Sequence, residues 1–288
     1  MEEKRAITPP TFPKSWDICS AKLLADTPTS HIWEVGRSGG ELAIVKDFKP
    51  VGLEDEFPGV EILEWRDGDG TVRVLARDGY RILMEHAGDY TLLEHLNLHG
   101  DEAASEIAAE AIQRFHSDVP HSRPKDLQTL HRRFKSLFDK ARIDRESGAP
   151  SLFVEAAATA ERLLADQRDI RPLHADLHHE NLIRSERGWL IIDPKGVIGD
   201  PLFDAANLFY NPVERVDLRA NPARASALAR LLEVRLGWDR QRILEYAFAH
   251  ACLSASWHVE DGNIDEADRS LAVAKAALQV IRQDFGQF

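Results

Sequence analysis

The stretch His174-Ala175-Asp176-Leu177-His178-His179-Glu180-Asn181 is followed shortly by Trp189-Leu190-Ile191-Ile192-Asp193-Pro194-Lys195-Gly196. The first segment places a His two residues ahead of an Asp and an Asn five residues behind it. The second is an apolar run that ends on an Asp. Kinase-type phosphoryl transfer needs this pair. One Asp orients the attacking hydroxyl, an Asn and a second Asp hold magnesium, and a strand presents that second Asp to the phosphates.

Moving a γ-phosphoryl group asks little covalent help of the protein. It asks for positioning and for neutralisation of spreading negative charge. Magnesium takes about six oxygen ligands at roughly 2.0–2.1 Å and keeps several waters, so one or two protein groups suffice. On this reading Asp176 accepts the proton of the acceptor hydroxyl, Asn181 and Asp193 are the metal ligands, and His174 braces the loop. Four of the eight residues from His174 to Asn181 are Asp or His, which also raises a zinc metallohydrolase. Zinc, however, wants His nitrogens aimed at one point. A hydrolase also gives no reason for the apolar run ending in Asp193.

Working outward, the chain of 288 residues is long enough for about two domains. A hydrophobic content of 43% allows a substantial core. Cys19 and Cys252 are too few and too far apart for a disulfide framework, which fits a reducing cytoplasm. Residues 1–18 carry Glu2, Glu3, Lys4, Arg5 and three prolines rather than the pattern of a secretory leader. No apolar stretch of about 20 residues suits a membrane span. The net charge of −12 and pI near 5.5 argue against nucleic acid and suit a small cationic substrate.

The first third reads as a small antiparallel sheet. Candidate strands are 21–25 and 31–35, then 41–46 after a turn at Gly39-Gly40. Strands 71–77 and 80–85 flank an Asp78-Gly79 hairpin signal. Ala43-Ile44-Val45-Lys46 matches the strand that carries a phosphate-binding lysine in kinases, which makes Lys46 the phosphate clamp. Pro58 is tolerated only in a helix's first turn, so the helix after that strand starts near Asp55 or is distorted. Beyond Gly88 the pattern turns helical. One stripe is Ile107, Ala108, Ala111, Ile112 and Phe115. Another runs from Leu127 through Leu130, Phe134, Leu137 and Phe138 to Ala141. Ser151, Asn221-Pro222 and Asp239 read as helix starts and Gly237 as a helix end. A last helix covers about 265–283.

The quoted segments resemble the aminoglycoside phosphotransferases, and within them the streptomycin 6-kinase and hydroxyurea phosphotransferase group. The likeness rests on Leu173 to Asn181, Gly188 to Gly196, Gly199-Asp200-Pro201 and Ala205-Ala206-Asn207-Leu208-Phe209-Tyr210-Asn211-Pro212. It extends from Phe12-Pro13 to Cys252–Trp257. It implies an α+β, two-lobed protein-kinase-like fold: an N-lobe over 1–85, a hinge at 86–88 and a helical C-lobe over 89–288. It implies ATP and Mg2+ as cofactors and an aminoglycoside as the cationic acceptor, with the γ-phosphate transferred to the 6-hydroxyl of streptomycin by a monomer. Glu56 is the expected partner of Lys46, with Glu54, Glu61 and Glu64 as rivals. Backbone groups of Glu85, His86 and Ala87 are expected to read the adenine edge. The family lacks a glycine-rich loop, and backbone N–H groups of Asp26-Thr27-Pro28-Thr29-Ser30 with the Thr29 and Ser30 hydroxyls are the expected phosphate donors in its place. Asn211, Trp257, Glu260 and Asp261 are placed beside the acceptor. Asp200 and Asp204 are expected to stabilise the loop and cap the next helix.

In one position the chain departs from the pattern. The family carries Gly between the His and the Asp, and here it is Ala175. Alanine gives up easy access to positive φ, so a left-handed loop at this point would be strained. Rival readings keep the fold with hydroxyurea or a metabolic alcohol as acceptor, or reduce the chain to a non-catalytic nucleotide-binding module.

Overall fold

Five antiparallel strands form the first part of the computed structural model, which describes residues 7–148 and 150–286. They are β1 (Ile18–Asp26), β2 (Ser30–Arg37), β3 (Leu42–Phe48), β4 (Val74–Asp78) and β5 (Arg81–Glu85), in the spatial order β1-β2-β3-β5-β4. Side chains alternate across a strand. Ala43 and Val45 of β3 therefore pack with Trp16, Trp33 and Leu83 on one face. Ile44 and Phe48 pack on the other with Val60, Leu63, Ile82 and Met84. Lys46 is in step with Ile44 and Phe48, and its ammonium lies 5.0 Å from the Phe48 ring centre.

The expected Asp78-Gly79 turn is shifted by one residue. Asp78 pairs with Arg81, so the two-residue loop is Gly79-Tyr80. Gly79 supplies the positive φ, +57°, that the first position of such a loop can require.

Between β3 and β4 run α1 (Gly52–Asp55) and α2 (Gly59–Arg66). Of the two expectations, a start near Asp55 or a distortion, the structure shows the second: two pieces broken across Glu56-Phe57-Pro58. Pro58 has no N–H for the helical ladder, so the helix stops and restarts behind it. The break leaves Glu56 on a corner, facing the cleft. The far end of α2 is anchored by Arg66, whose buried guanidinium donates to the carbonyls of Asp69 (2.9 Å), Arg114 (2.9 Å) and Ser117 (2.7 Å).

The remainder is mostly helical. It comprises α3 (Leu92–His99), α4 (Asp101–Phe115), α5 (Leu130–Arg133), α6 (Lys135–Ser147) and α7 (Leu152–Ala165). Further on come α8 (Leu202–Tyr210), α9 (Pro222–Leu236), α10 (Arg240–Glu260) and α11 (Ile264–Phe285). Thr91 and Glu94 close a capping box on α3. Ser151, Asn221 and Asp239 cap α7, α9 and α10, and Gly237 ends α9 in the left-handed conformation. The stripe expected over 127–141 does not form one helix. It begins with the short strand β6 (Gln128–Thr129), tied to the catalytic half by Gln128 N–H donating to Gly196 O (2.9 Å). It then bends at Phe134 between α5 and α6. A tertiary partner for the backbone overrides the helical periodicity there.

Short strands carry the functional segments between these helices: β7 (Arg171–Leu173), the hairpin β8 (Leu182–Ser185) and β9 (Gly188–Ile191), and β10 (Val197–Gly199). β10 lies between β6 and β7. Among the described residues no helix is long and apolar enough to cross a membrane.

Two glycines let α2 dock directly on the Asp193 segment. A Cβ on Gly59 would lie 1.6 Å from Pro194 O, and one on Gly196 would lie 2.6 Å from Pro58 C. Gly59→Ala should therefore cost at least about 2 kcal/mol of stability, as overpacking against fixed backbone does. Gly39→Ala, where nothing lies within 4 Å, should stay within about 0.5 kcal/mol of wild type. Equal unfolding midpoints for the two variants in a thermal melt would contradict this packing.

Candidate active site

β7 delivers the chain into the loop at His174, which is completely buried. Its Nδ1 accepts the Asp176 N–H (3.1 Å) and its Nε2 lies 2.7 Å from Ile192 O. A ring nitrogen that accepts is unprotonated, so the proton sits on Nε2 and is donated to Ile192. Burial depresses the His174 pKa, which favours this neutral form. The imidazole thus ties the Asp176 loop to the Asp193 segment.

Ala175 has φ of +61°. The residue that departs from the family pattern therefore sits where glycine would be relaxed, in a conformation that costs an L-residue roughly 1–2 kcal/mol. Asp204, buried at the start of α8, holds the turn from below. Its two carboxylate oxygens accept the N–H groups of His174 (2.9 Å) and Ala175 (2.7 Å). His116 Nε2 lies 3.0 Å from the same carboxylate, although its N–H is not aligned for a hydrogen bond.

Asp176 is one-third exposed, at 34%, and faces the cleft. Its Oδ1 accepts from Asn207 Nδ2 (3.0 Å), whose Oδ1 in turn accepts from Asn211 Nδ2 (2.9 Å). Asn181 closes a 3-10 turn behind the loop, and its Nδ2 donates to Asp176 O (2.9 Å). That contact leaves the Asn181 Oδ1 as its free acceptor. Ile192 N–H donates to Asn181 O (3.0 Å), which sets Asp193 beside Asn181. Asp193 itself has φ of +57°.

The charged groups form one chain. Lys46 Nζ lies 2.9 Å from Glu56 Oε2 and 3.0 Å from Asp193 Oδ2. The other Glu56 oxygen takes Lys195 Nζ at 2.7 Å, and Lys195 lies 3.6 Å from Asp176 Oδ2. Burial alone would raise the Glu56 pKa, but Lys46 and Lys195 outweigh it and bring it down to about 2. Burial likewise opposes charge on Lys195, yet Asp176 and Glu56 raise its pKa overall. Reading the sequence assigned no role to Lys195 or Asn207. Lys195 stands in the Gly188–Gly196 segment and Asn207 in the Ala205–Pro212 segment, two of the four that carried the resemblance, and that proximity was the available signal.

Next to this chain is a cavity of about 300 Å³, lined by Leu24, Ile44, Val72, Met84, Ile183 and Ile192. Residues 85–89 form one edge and Asp193 another. The Glu85 N–H is spent on Arg73 O (3.1 Å), and its carboxylate turns away to Arg73 N–H and Arg187. His86 Nδ1 accepts from Gly88 N–H (3.2 Å). The Ala87 N–H has no partner among the described residues, which leaves it for a ligand.

Thr29 and Ser30 are organised around Thr27. Their N–H groups both turn inward to Thr27 Oγ1 (3.3 and 2.9 Å), and Ser30 is buried. Thr27 acts as an internal staple: neither amide points outward, and the Thr29 and Ser30 hydroxyls lie 3.1 and 3.2 Å from the same oxygen. Of the four expected acceptor residues, only Asn211 is linked to Asp176. Trp257 stacks on the Arg133 guanidinium (4.7 Å), and Glu260 accepts from Ser136 (2.7 Å). Both line a pocket that also holds Arg132, Arg133 and Lys135, whose positive balance does not suit a cation. Asp261 is an exposed helix end.

Among the described residues no group of three or more His, Cys, Asp and Glu is arranged to hold a metal. His178 caps the turn through Glu180 N–H (3.3 Å), while His179 is buried and held neutral, its pKa brought down to about 3 by that burial. The loop histidines thus diverge, unlike zinc ligands. Asn181 Oδ1 and the Asp193 carboxylate are hard oxygen donors on segments joined by the Ile192–Asn181 hydrogen bond, a donor set that fits magnesium.

A kinase of the protein-kinase-like fold is what this arrangement defines, and the comparisons agree. The family model described as aminoglycoside/hydroxyurea antibiotic resistance kinase matches residues 15–262. Streptomycin 3''-kinase of Klebsiella pneumoniae is 34% identical over 270 residues, covering 91% of this chain and 97% of that protein. Streptomycin 6-kinase of Streptomyces griseus is 31% identical over 271 residues, covering 85% of each. Among solved structures, a thermostable mutant of an aminoglycoside phosphotransferase in ternary complex with AMP-PNP and hygromycin B superposes with a TM-score of 0.60. It is 16% identical and covers 94% of this chain and 96% of that one. The chain belongs to the aminoglycoside/hydroxyurea antibiotic resistance kinase family, and it is a phosphotransferase.

Two outcomes follow from this geometry. Ala175→Gly should raise stability by about 0.5–1 kcal/mol, because relief of the left-handed strain exceeds the extra entropy of glycine in the unfolded chain. A lower urea midpoint for the variant would refute the strain. The second concerns Glu56, whose folded pKa of about 2 lies below its ordinary 4.5. Its contribution is fully present above pH 4.5 and is lost as pH falls through 2. Wild type should therefore lose stability more steeply than Glu56→Gln across that window, read from urea titrations at each pH. Parallel profiles would contradict the Lys–Glu–Lys pairing.

Proposed function

We propose that the chain transfers the γ-phosphate of ATP to a hydroxyl of streptomycin. The observation that carries this reading is the bonded cluster of Asp176, Asn181, Asp193, Lys46 and Glu56, whose Asp193 lines one edge of the apolar cavity. In this reading residues 1–85 bind the nucleotide, residues 86–88 are the hinge and residues 89–288 supply the catalytic loop and acceptor site. Adenine fills the cavity, with the Ala87 amide on its edge, and the phosphates run toward Lys46. Asn181 and Asp193 would hold Mg2+, which would supply positive charge to offset that of the phosphates.

The protein's own part in the step is then specific. Asp176 accepts the proton of the acceptor hydroxyl while Asn207 fixes its carboxylate. The hydroxyl oxygen bonds to the γ-phosphorus, and the bond from that phosphorus to the bridging oxygen breaks. ADP leaves with the electron pair. The Asn207–Asn211 side of Asp176 receives the acceptor, whose cationic groups suit a chain of net charge −12. We propose further that the enzyme acts as a monomer in the cytoplasm.

Within streptomycin, the motifs first suggested the 6-hydroxyl. A second position, the 3''-hydroxyl, gains support from the 34% identity to the Klebsiella pneumoniae enzyme. The test is to incubate purified protein with Mg-ATP and streptomycin, hydroxyurea or a panel of simple alcohols, and to map the phosphorylated position by NMR. Streptomycin-dependent ADP release is expected, reduced about 10²–10⁴-fold in Asp176→Asn, the usual range for loss of a general base. Turnover with hydroxyurea or a simple alcohol but not with streptomycin would overturn the acceptor. Nucleotide binding with no transfer to anything, water included, would leave a binding module.

A further inference from the structure

We propose that Lys195 is a second phosphoryl-binding lysine, which contacts the γ-phosphoryl group as it crosses from ADP to the acceptor. This rests on the kinase reading above and adds a catalytic group to it.

The argument is positional. The leaving end of the reaction lies at Lys46 and Asp193, and the receiving end lies at Asp176. Glu56 stands between them with one ammonium on each oxygen, Lys46 at 2.9 Å and Lys195 at 2.7 Å. Lys195 is thus the cation at the receiving end. Its ammonium has three N–H donors. One goes to Glu56, and the Asp176 oxygen at 3.6 Å is beyond hydrogen-bond length. Two donors remain uncommitted beside the carboxylate that would orient the attacking oxygen.

Its backbone is also fixed. Lys195 N–H donates to His174 O (2.8 Å), and Gly196 and Gly59 allow the segment to press against the corner at Pro58. The side chain is 12% exposed, so the ammonium acts in a poorly hydrated place where its charge is worth more than in water. In phosphoryl transfer the charge spreads over the three equatorial oxygens of a loose, metaphosphate-like group. A preorganised ammonium at the receiving end stabilises that charge without reorganising. The bond changes are those already given: O–P forms at the acceptor, P–O breaks at ADP, and the proton goes to Asp176. Lys195 keeps its own proton throughout. Glu56 keeps its bond to Lys195 while the uncommitted donors take the phosphoryl oxygens.

The test compares Lys195→Met and Lys195→Arg with wild type in three measurements: affinity for Mg-AMP-PNP, affinity for Mg-ADP with aluminium fluoride, and kcat. AMP-PNP imitates the ground state, and the fluoride complex imitates the phosphoryl group in flight. Lys195→Met should bind AMP-PNP within about threefold of wild type, but bind the fluoride complex about 100-fold more weakly and lose kcat by a similar factor, in the range seen when one charge-stabilising donor is removed. Lys195→Arg should recover part of both. Equal weakening of the two ligands, or kcat within threefold of wild type, would overturn the proposal and leave Lys195 as structural support. Should wild type prove inactive on streptomycin, the acceptor reading fails separately. Lys195 is then judged on the fluoride complex, which uses water as the stand-in acceptor.

Discussion

The Glu56 carboxylate, shared by Lys46 and Lys195, is the contact on which the rest of the site depends. It joins four parts of the chain: strand β3, the corner between α1 and α2, the Asp193 segment and the catalytic loop. Each of these charges is wholly or partly withdrawn from water, and each is acceptable only because its neighbour is present. Removing one partner of such a buried pair typically costs about 3–5 kcal/mol, since the remaining charge is left uncompensated. The packing is arranged to keep the chain intact. Pro58 turns the corner that presents Glu56, two glycines let that corner touch the Asp193 segment, and Arg66 pins the far end of α2 to the end of α4.

The opposite wall is held by neutral hydrogen bonds. His174 links Asp176 to Ile192, and Asp204 grips the left-handed turn at Ala175. Strain persists at a functional turn only when the surroundings over-determine it. Two charge-assisted bonds from one buried carboxylate provide that here. The methyl group that this chain carries at Ala175 is thus accommodated by Asp204, and the catalytic carboxylate keeps its place in the cleft.

Much of this was legible in the sequence because the chemistry confines certain residue types to short, fixed spacings. His174, Asp176, Asn181 and Asp193 sit on two segments whose backbones hydrogen-bond to each other. The family resemblance and the protein-kinase-like fold followed from them. The capped helices were equally readable, since Ser151, Asn221, Asp239 and Gly237 act locally. Contacts made through space were not readable. Lys195 reaches Glu56 across 139 positions, and no local pattern signals that. The turn of Thr29 and Ser30 onto Thr27 and the bend at Phe134 depend on partners elsewhere in the fold or on loop geometry that hydropathy does not encode. The charges around Trp257 and Glu260 likewise come from α5 and α6, so a carboxylate that looked like an acceptor group shares its pocket with three cations.

The central claim is that Lys46, Glu56, Lys195, Asp176 and Asp193 act as one electrostatic unit. A double-mutant cycle on kcat, combining Glu56→Gln with Lys195→Met, tests it most directly. Residues that work as a unit are strongly non-additive. The double variant should be no slower than the slower single variant, within about threefold. A double variant whose loss equals the product of the two single losses would show that the two residues act independently, and would contradict the account.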